Sequence, residues 1–491
     1  MVPYFIALLL LGLPIAWAEW ALGRYGGTRG YNSVPGIFRA VLRRPIAPYL
    51  GALGLLIPVV IYMYYAYIEA WCLAYSVKMA TGQLALGASQ HNYVAYFAKF
   101  VGFENNGEAF DLSRGIGDSA ITYLAICFIL NFVLIYRGLS RGIEWFCKWA
   151  MPALVLCALV VLIRVLTLGT PDPHYPERSL LNGLGFMWNP GVAGESFWHS
   201  LANAQMWLEA AGQIFFSLSV GFGIVLCYAS YLREKDDIAL SSLTAVAGNE
   251  FAEVALGGLI SIPAAYVFLG AAGTTEAARS TFNLGFMTLP HVFSAMPFGQ
   301  GVGALFFFLL FLAAVTSSLS MLQPAIALLE EGLGLGRRAS VTLLGFVTAV
   351  GTGFVVYFSK DAKALDTLDF WVGTFCIFLL ATIQVILFGW VLGIERGYEE
   401  LQRGAQLRVP RLFMYIIKYV SPAYLVAIFS AWVYQQVTAE KDNYLRAAVH
   451  DPVARLSVGL IVLVALLFVL LIAQSVRRWN KNDAQRGVDE L

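Results

Sequence analysis

Eleven stretches of mostly apolar residues, each about 18 residues or longer, constrain this chain more than any other feature. They cover residues 1–22, 48–80, 119–136, 144–168, 207–232, 240–271, 300–330, 341–358, 368–394, 412–436 and 456–476. Hydrocarbon offers no water to unpaired N–H and C=O groups, so a crossing segment of this length must be a helix. The expectation is an all-α, polytopic membrane protein forming one transmembrane domain over residues 1–491. Runs longer than the ~20 residues a crossing needs should tilt or project beyond the bilayer. The composition agrees, since 59% of residues are hydrophobic and 13% charged. An ordinary soluble domain carries about twice that share of charge. A net charge of +1 with no long Lys/Arg-rich run gives no sign of nucleic acid as a partner. Six cysteines without a CxxC spacing, and five scattered histidines, argue against a disulfide framework or zinc site.

The connections between runs alternate in charge. The first holds Arg24, Arg29, Arg39, Arg43 and Arg44, and the tail holds Arg477, Arg478, Lys481 and Arg486. Odd-numbered connections and the tail carry most of the basic residues, although the even-numbered ones are longer. By the positive-inside rule the odd side and the C-terminus are cytoplasmic. The same rule puts residue 1 outside, yet MVPYFIALLLLG is already a span with no basic leader and no cleavage site. This is the pattern expected of a chain lacking an upstream segment.

Polar residues inside the runs need a reason, because a central charge costs about 2.5–3.5 kcal/mol on insertion scales. Five acids qualify: Glu19, Glu69, Glu250, Glu253 and Asp369. Lys78 and Arg164 sit near span ends, where their stems would reach the interface. The run GQIFFSLSVGFGIVLCYASYL, residues 212–232, carries Ser217, Ser219, Gly221 and Gly223 at its middle. Small residues at this spacing serve close helix packing or mark a helix that comes undone in mid-membrane. In AAVTSSLSMLQP, the Ala313 carbonyl and the Thr316 and Ser317 hydroxyls share one helix face. They either converge on a small hard cation or bond back to carbonyls one turn earlier.

The strings GRYGG, PVVIYMYYAYIEAW, NEFAEVALGGLISIPAA, FNLGFMTLPHVF, VTSSLSMLQPAIALLEE and LDFWVGT, with the 212–232 run, occur along the chain. Together they resemble the neurotransmitter:sodium symporter family, in its bacterial leucine-transporter-like branch, from end to end. The resemblance implies two inverted five-helix repeats, with eleven of the family's twelve helices present and the first absent. It implies that Na⁺ moving down its gradient carries an amino acid inward. One sodium would be held by Ser217 and Asn249, the other by Ala313, Thr316 and Ser317. Tyr65 resembles the residue that holds the substrate carboxylate and Phe216 an aromatic lid. Ile61, Ser217, Ser219, Phe222, Ser317 and Met321 would complete the amino-acid pocket.

Asp369, with Tyr65 and Phe216, resembles an outer gate. Tyr4, Gln213 and Ser217 occupy positions that surround chloride in other branches. Glu253 stands where those branches have serine, so a fixed carboxylate would replace the halide and transport would be chloride-independent. A homodimer is compatible with the resemblance. The expected function is sodium-coupled symport of a neutral amino acid, impaired or abolished here if the first helix is truly missing. A transport-dead or regulatory membrane protein is the alternative. A membrane enzyme has no nucleophile–base pair in the spans to support it.

Overall fold

The computed structural model describes residues 2–111, 113, 115–188, 198, 201, 204–438 and 444–489; Met1 and His199 lie outside them. The described residues are helical and contain no strand. Among them, nine helices are long and apolar enough to cross a membrane. They are α1 (Val2–Gly27), α3 (Ala47–Ala80), α6 (Leu139–Leu166), α10 (Ile238–Ala278), α11 (Gly299–Leu333), α12 (Arg337–Tyr357), α13 (Lys360–Gln402), α14 (Arg411–Thr438) and α15 (Pro452–Asp483). A shorter apolar helix, α5, covers Ala120–Tyr136. Outside the long spans lie α2 (Val34–Leu42), α4 (Gln90–Phe100) and α7 (Leu180–Trp188). The run read as 207–232 is not one helix but two, α8 (Ala204–Leu218) and α9 (Ile224–Ala229).

The centre of the molecule is α3. It is apolar around its whole circumference, as a helix surrounded by others should be, and buries Tyr62, Tyr67, Trp71 and Tyr75. It packs along α11 more extensively than along any other element and also touches α5, α12 and the middle of α13. Trp71 sits in an aromatic cage, edge-on to Tyr67, Phe97, Phe282 and Phe286 at 4.9–5.7 Å between ring centroids. Edge-to-face rings add about 0.5–1.5 kcal/mol per pair beyond the area they bury. The aromatic richness of the chain thus clamps the extramembrane helix α4 to the scaffold.

Two basic residues differ from expectation. Lys78 does not lie open at a span end; its side chain is fully buried and its Nζ is 2.6 Å from Asp118 Oδ1. Arg24 belongs to α1, which runs on to Gly27 beyond the apolar pattern, and is buried rather than free at the interface. Its Nε donates to Glu400 Oε1 at 2.8 Å, and Nη1 donates to the carbonyls of Asp236 and Arg403. A charge enclosed by its partner and by carbonyl dipoles no longer needs water, and that lets the helix continue.

Candidate functional site

Between α8 and α9 the backbone leaves the helix over residues 219–223. Ser219, Gly221 and Gly223 have φ of +53°, +79° and +83°. These values lie in the left-handed region that glycine tolerates and serine rarely adopts. Space demands glycine as well. A Cβ on Gly223 would lie 2.7 Å from the Gly54 backbone of α3, and one on Gly221 would lie 2.9 Å from the Ile377 carbonyl of α13. The N–H freed at Gly221 donates to Glu19 Oε1 of α1 at 2.9 Å, and Glu19 is completely buried. Here an acid in the membrane answers a backbone group that the break releases.

A polar cluster lies directly before the break. Asn249 Nδ2 donates to Ser217 Oγ at 2.5 Å, and Ser217 Oγ in turn donates to Glu253 Oε2. Gln213 Nε2 donates to Glu253 Oε1 at 2.5 Å. The fold therefore brings Ser217, Asn249, Gln213 and Glu253 together. Tyr4, expected beside Glu253, lies within reach of both acids and donates to Glu250 Oε2 at 2.8 Å. Both oxygens of Glu253 already accept a bond, whereas Glu250, close to one helical turn earlier, presents an open one.

The second set behaves differently. Thr316 Oγ1 donates to the Ala313 carbonyl at 2.9 Å, and Ser318 and Ser320 also donate to carbonyls of their own helix. These hydroxyls take the back-bonded alternative. Ser318 also donates to Glu69 Oε2 at 2.6 Å, and Asn131 Nδ2 donates to the same carboxylate at 3.1 Å. Ser317 reaches the Tyr65 hydroxyl on α3. All five membrane acids are met by neutral donors; no ion pair among the described residues includes any of them.

A cavity of about 1240 Å³ opens on the side of the even-numbered connections. Tyr65, Phe216, Gln213 and Asp369 line it, whereas Ile61, Ser217, Ser219, Phe222, Ser317 and Met321 do not. Ile61, Phe222 and Met321 are buried outside its wall. Phe216 meets Phe222 edge-on at 5.5 Å across the break. Asp369 Oδ1 accepts from the hydroxyl of Tyr64, not Tyr65, at 2.6 Å. The sequence reading missed Tyr64; its one signal was a tyrosine doublet opposite an acid without a cation. Among the described residues no group of His, Cys, Asp and Glu has the geometry of a metal centre. A cation here would rest on neutral oxygens plus one carboxylate, a donor set suited to a hard ion.

A model of the sodium:neurotransmitter symporter family matches residues 1–108 and 100–480. An uncharacterized sodium-dependent transporter of Methanocaldococcus jannaschii is 24% identical over 87% of this chain and 82% of its own length. One from Haemophilus influenzae is 26% identical over 86% of this chain and 88% of its own length. The sodium-dependent nutrient amino acid transporter 1 of Drosophila persimilis is 24% identical over 90% of this chain and 70% of its own. Among solved structures, MhsT in complex with L-phenylalanine shares the fold with a TM-score of 0.70. It is 23% identical, and the match covers 88% of this chain and 90% of that one.

Proposed function

We propose a substrate class, a set of ion ligands and an anion requirement for this chain, which belongs to the sodium:neurotransmitter symporter family. It is a sodium-dependent transporter, not an enzyme, in a membrane that it crosses repeatedly. Our reading is that it carries a neutral amino acid with an apolar side chain inward across the plasma membrane, with its C-terminus in the cytoplasm.

The observation that carries this reading is the break at 219–223 beside Ser217, Asn249 and Glu253. Unwound backbone in mid-membrane exposes dipoles that an ion and a zwitterion can share, and it survives only where it lines such a site or is buried in protein. In this reading Ser217 and Asn249 ligate one sodium. Ala313, Thr316 and Ser317 ligate a second once the Thr316 hydroxyl turns from the Ala313 carbonyl toward the ion. Tyr65 holds the substrate carboxylate, and Phe216 covers the site. Ile61, Ser219, Phe222 and Met321 surround the side chain. Their largely apolar character favours an aliphatic or aromatic substrate, and the L-phenylalanine bound by MhsT, a protein of like fold, is in keeping with that.

Glu253 supplies the negative charge that offsets sodium, so chloride is not needed. The test is uptake into proteoliposomes containing the protein expressed from its gene. A sodium gradient, but not a potassium gradient, should drive accumulation of neutral apolar amino acids, equally in chloride and gluconate. A strict chloride requirement overturns the role of Glu253. Uptake indifferent to sodium overturns the ion ligands.

A further inference from the structure

A second cavity, of about 470 Å³, lies on the opposite side of the molecule, among the odd-numbered connections. Four arginines line it, Arg29, Arg39, Arg43 and Arg44, with Tyr31 and Asn480; among the described residues no acidic side chain does. Local structure draws these charges together. Helix α2 ends at Arg43, whose φ of +52° reverses the chain, so Arg43 and Arg44 come back beside Arg39 one turn earlier. Arg29 is held over the Tyr25 ring at 3.4 Å and donates to the Tyr25 carbonyl at 2.8 Å.

The end of α15 forms the facing wall. Arg39 Nη2 donates to Asn480 Oδ1 at 2.9 Å and to Asp483 Oδ2 at 2.8 Å. Trp479 packs edge-on to Tyr31 at 5.5 Å. Arg43 and Arg44 are exposed, and neither has a carboxylate partner among the described residues. Like charges gathered in a concave site repel one another, so the arrangement is stabilised when an anion sits between them. Guanidinium groups match phosphate oxygens two at a time. Beside them Ile46 is 56% exposed, with Pro45 and Pro48 at the cavity wall. An exposed apolar residue next to free arginines suits the boundary between headgroups and acyl chains.

We propose that this cavity binds the headgroup of an anionic phospholipid of the cytoplasmic leaflet, with the phosphodiester at Arg43 and Arg44 and the acyl chains leaving past Ile46. The proposal rests on the cytoplasmic orientation of this side. Its test in detergent requires neither transport nor orientation, so failure here is distinguishable from failure of the transport reading.

Delipidated protein is titrated with phosphatidylglycerol or phosphatidylcholine of identical chains, and bound lipid is counted by native mass spectrometry. Phosphatidylglycerol should be retained at concentrations where phosphatidylcholine is not. Arg43→Gln with Arg44→Gln should weaken its retention about tenfold or more, as expected for losing two near-surface cations. Arg137→Gln with Arg141→Gln, two exposed arginines of the third connection, should leave it unchanged. If the first double variant melts early, Arg44→Gln alone, at an exposed position, gives the same reading. Equal retention of both lipids, or equal loss in both double variants, overturns the site. Displacement of phosphatidylglycerol by excess inorganic phosphate overturns the lipid in favour of a soluble phosphoanion.

Discussion

Glu19 and Gly221 are 202 residues apart, and the carboxylate of one accepts the backbone N–H of the other at 2.9 Å. The acid lies on an unbroken stretch of α1, while the amide belongs to the left-handed backbone within the 212–232 run. The contact turns a break in one helix into a fixed shape, because a buried N–H without an acceptor costs about 1–3 kcal/mol. Glu19→Ala should therefore lower the melting temperature and abolish sodium-driven uptake. Glu19→Gln, which keeps a carbonyl acceptor, should retain a measurable part of both. Full uptake by Glu19→Ala would mean that the break holds its shape without it.

Gly223→Ala tests the geometry of the break directly. The added methyl meets the Gly54 backbone at 2.7 Å and the residue must keep φ near +83°. Strain of this kind costs roughly 1–3 kcal/mol before the clash is counted. Thermal melting should show a loss at least that large. Gly248→Ala, where nothing lies within 4 Å of the added Cβ, should be close to neutral.

Glu253→Ser removes the one acceptor on which Gln213 and Ser217 converge. Uptake should then become dependent on chloride, measured as the ratio of initial rates in chloride and gluconate. Glu250→Gln, which leaves Glu253 with its two donors Gln213 and Ser217, should leave that ratio near one.

Tyr64→Phe leaves Asp369 without its 2.6 Å donor. Hydrogen bonds to a charged group contribute about 1.5–3 kcal/mol. Apparent substrate affinity should fall roughly ten- to a hundredfold if Asp369 closes the cavity. Tyr65→Phe should weaken binding separately, and the two effects should add if the tyrosines act on different partners.

Arg24→Met breaks the buried pair with Glu400, whose side chain is only 6% exposed. Arg403 approaches the other Glu400 oxygen only at 3.7 Å and cannot replace it. An uncompensated buried carboxylate costs about 3–5 kcal/mol. The single variant should melt far earlier than the wild type, and Arg24→Met with Glu400→Met should recover much of the loss.

Much of the architecture was legible because lipid imposes a length and an apolar surface that any crossing helix must meet. The hydroxyls and glycines of 217–223 were legible as a disturbance, since glycine weakens a helix and a hydroxyl in hydrocarbon needs a partner. What could not be read locally was the partner of each polar group. Tyr64 and Tyr65 are equivalent by composition, and only the rotation of α3 between α13 and α11 sends Tyr64 to Asp369 and Tyr65 to Ser317. Thr316 had two outlets, its own helix or an external point, and it takes the near one.

By itself the sequence determined how many segments are fit for lipid, where one of them is weakened, and which acids demand a partner, because these follow from transfer energies of single residues. Only the tertiary structure decided that Glu19 answers Gly221, that Tyr4 goes to Glu250, that Lys78 pairs with Asp118 and that Arg24 is buried against Glu400. A hydrogen bond or ion pair depends on tenths of an ångström between chain segments that are often hundreds of residues apart, and packing alone sets that distance.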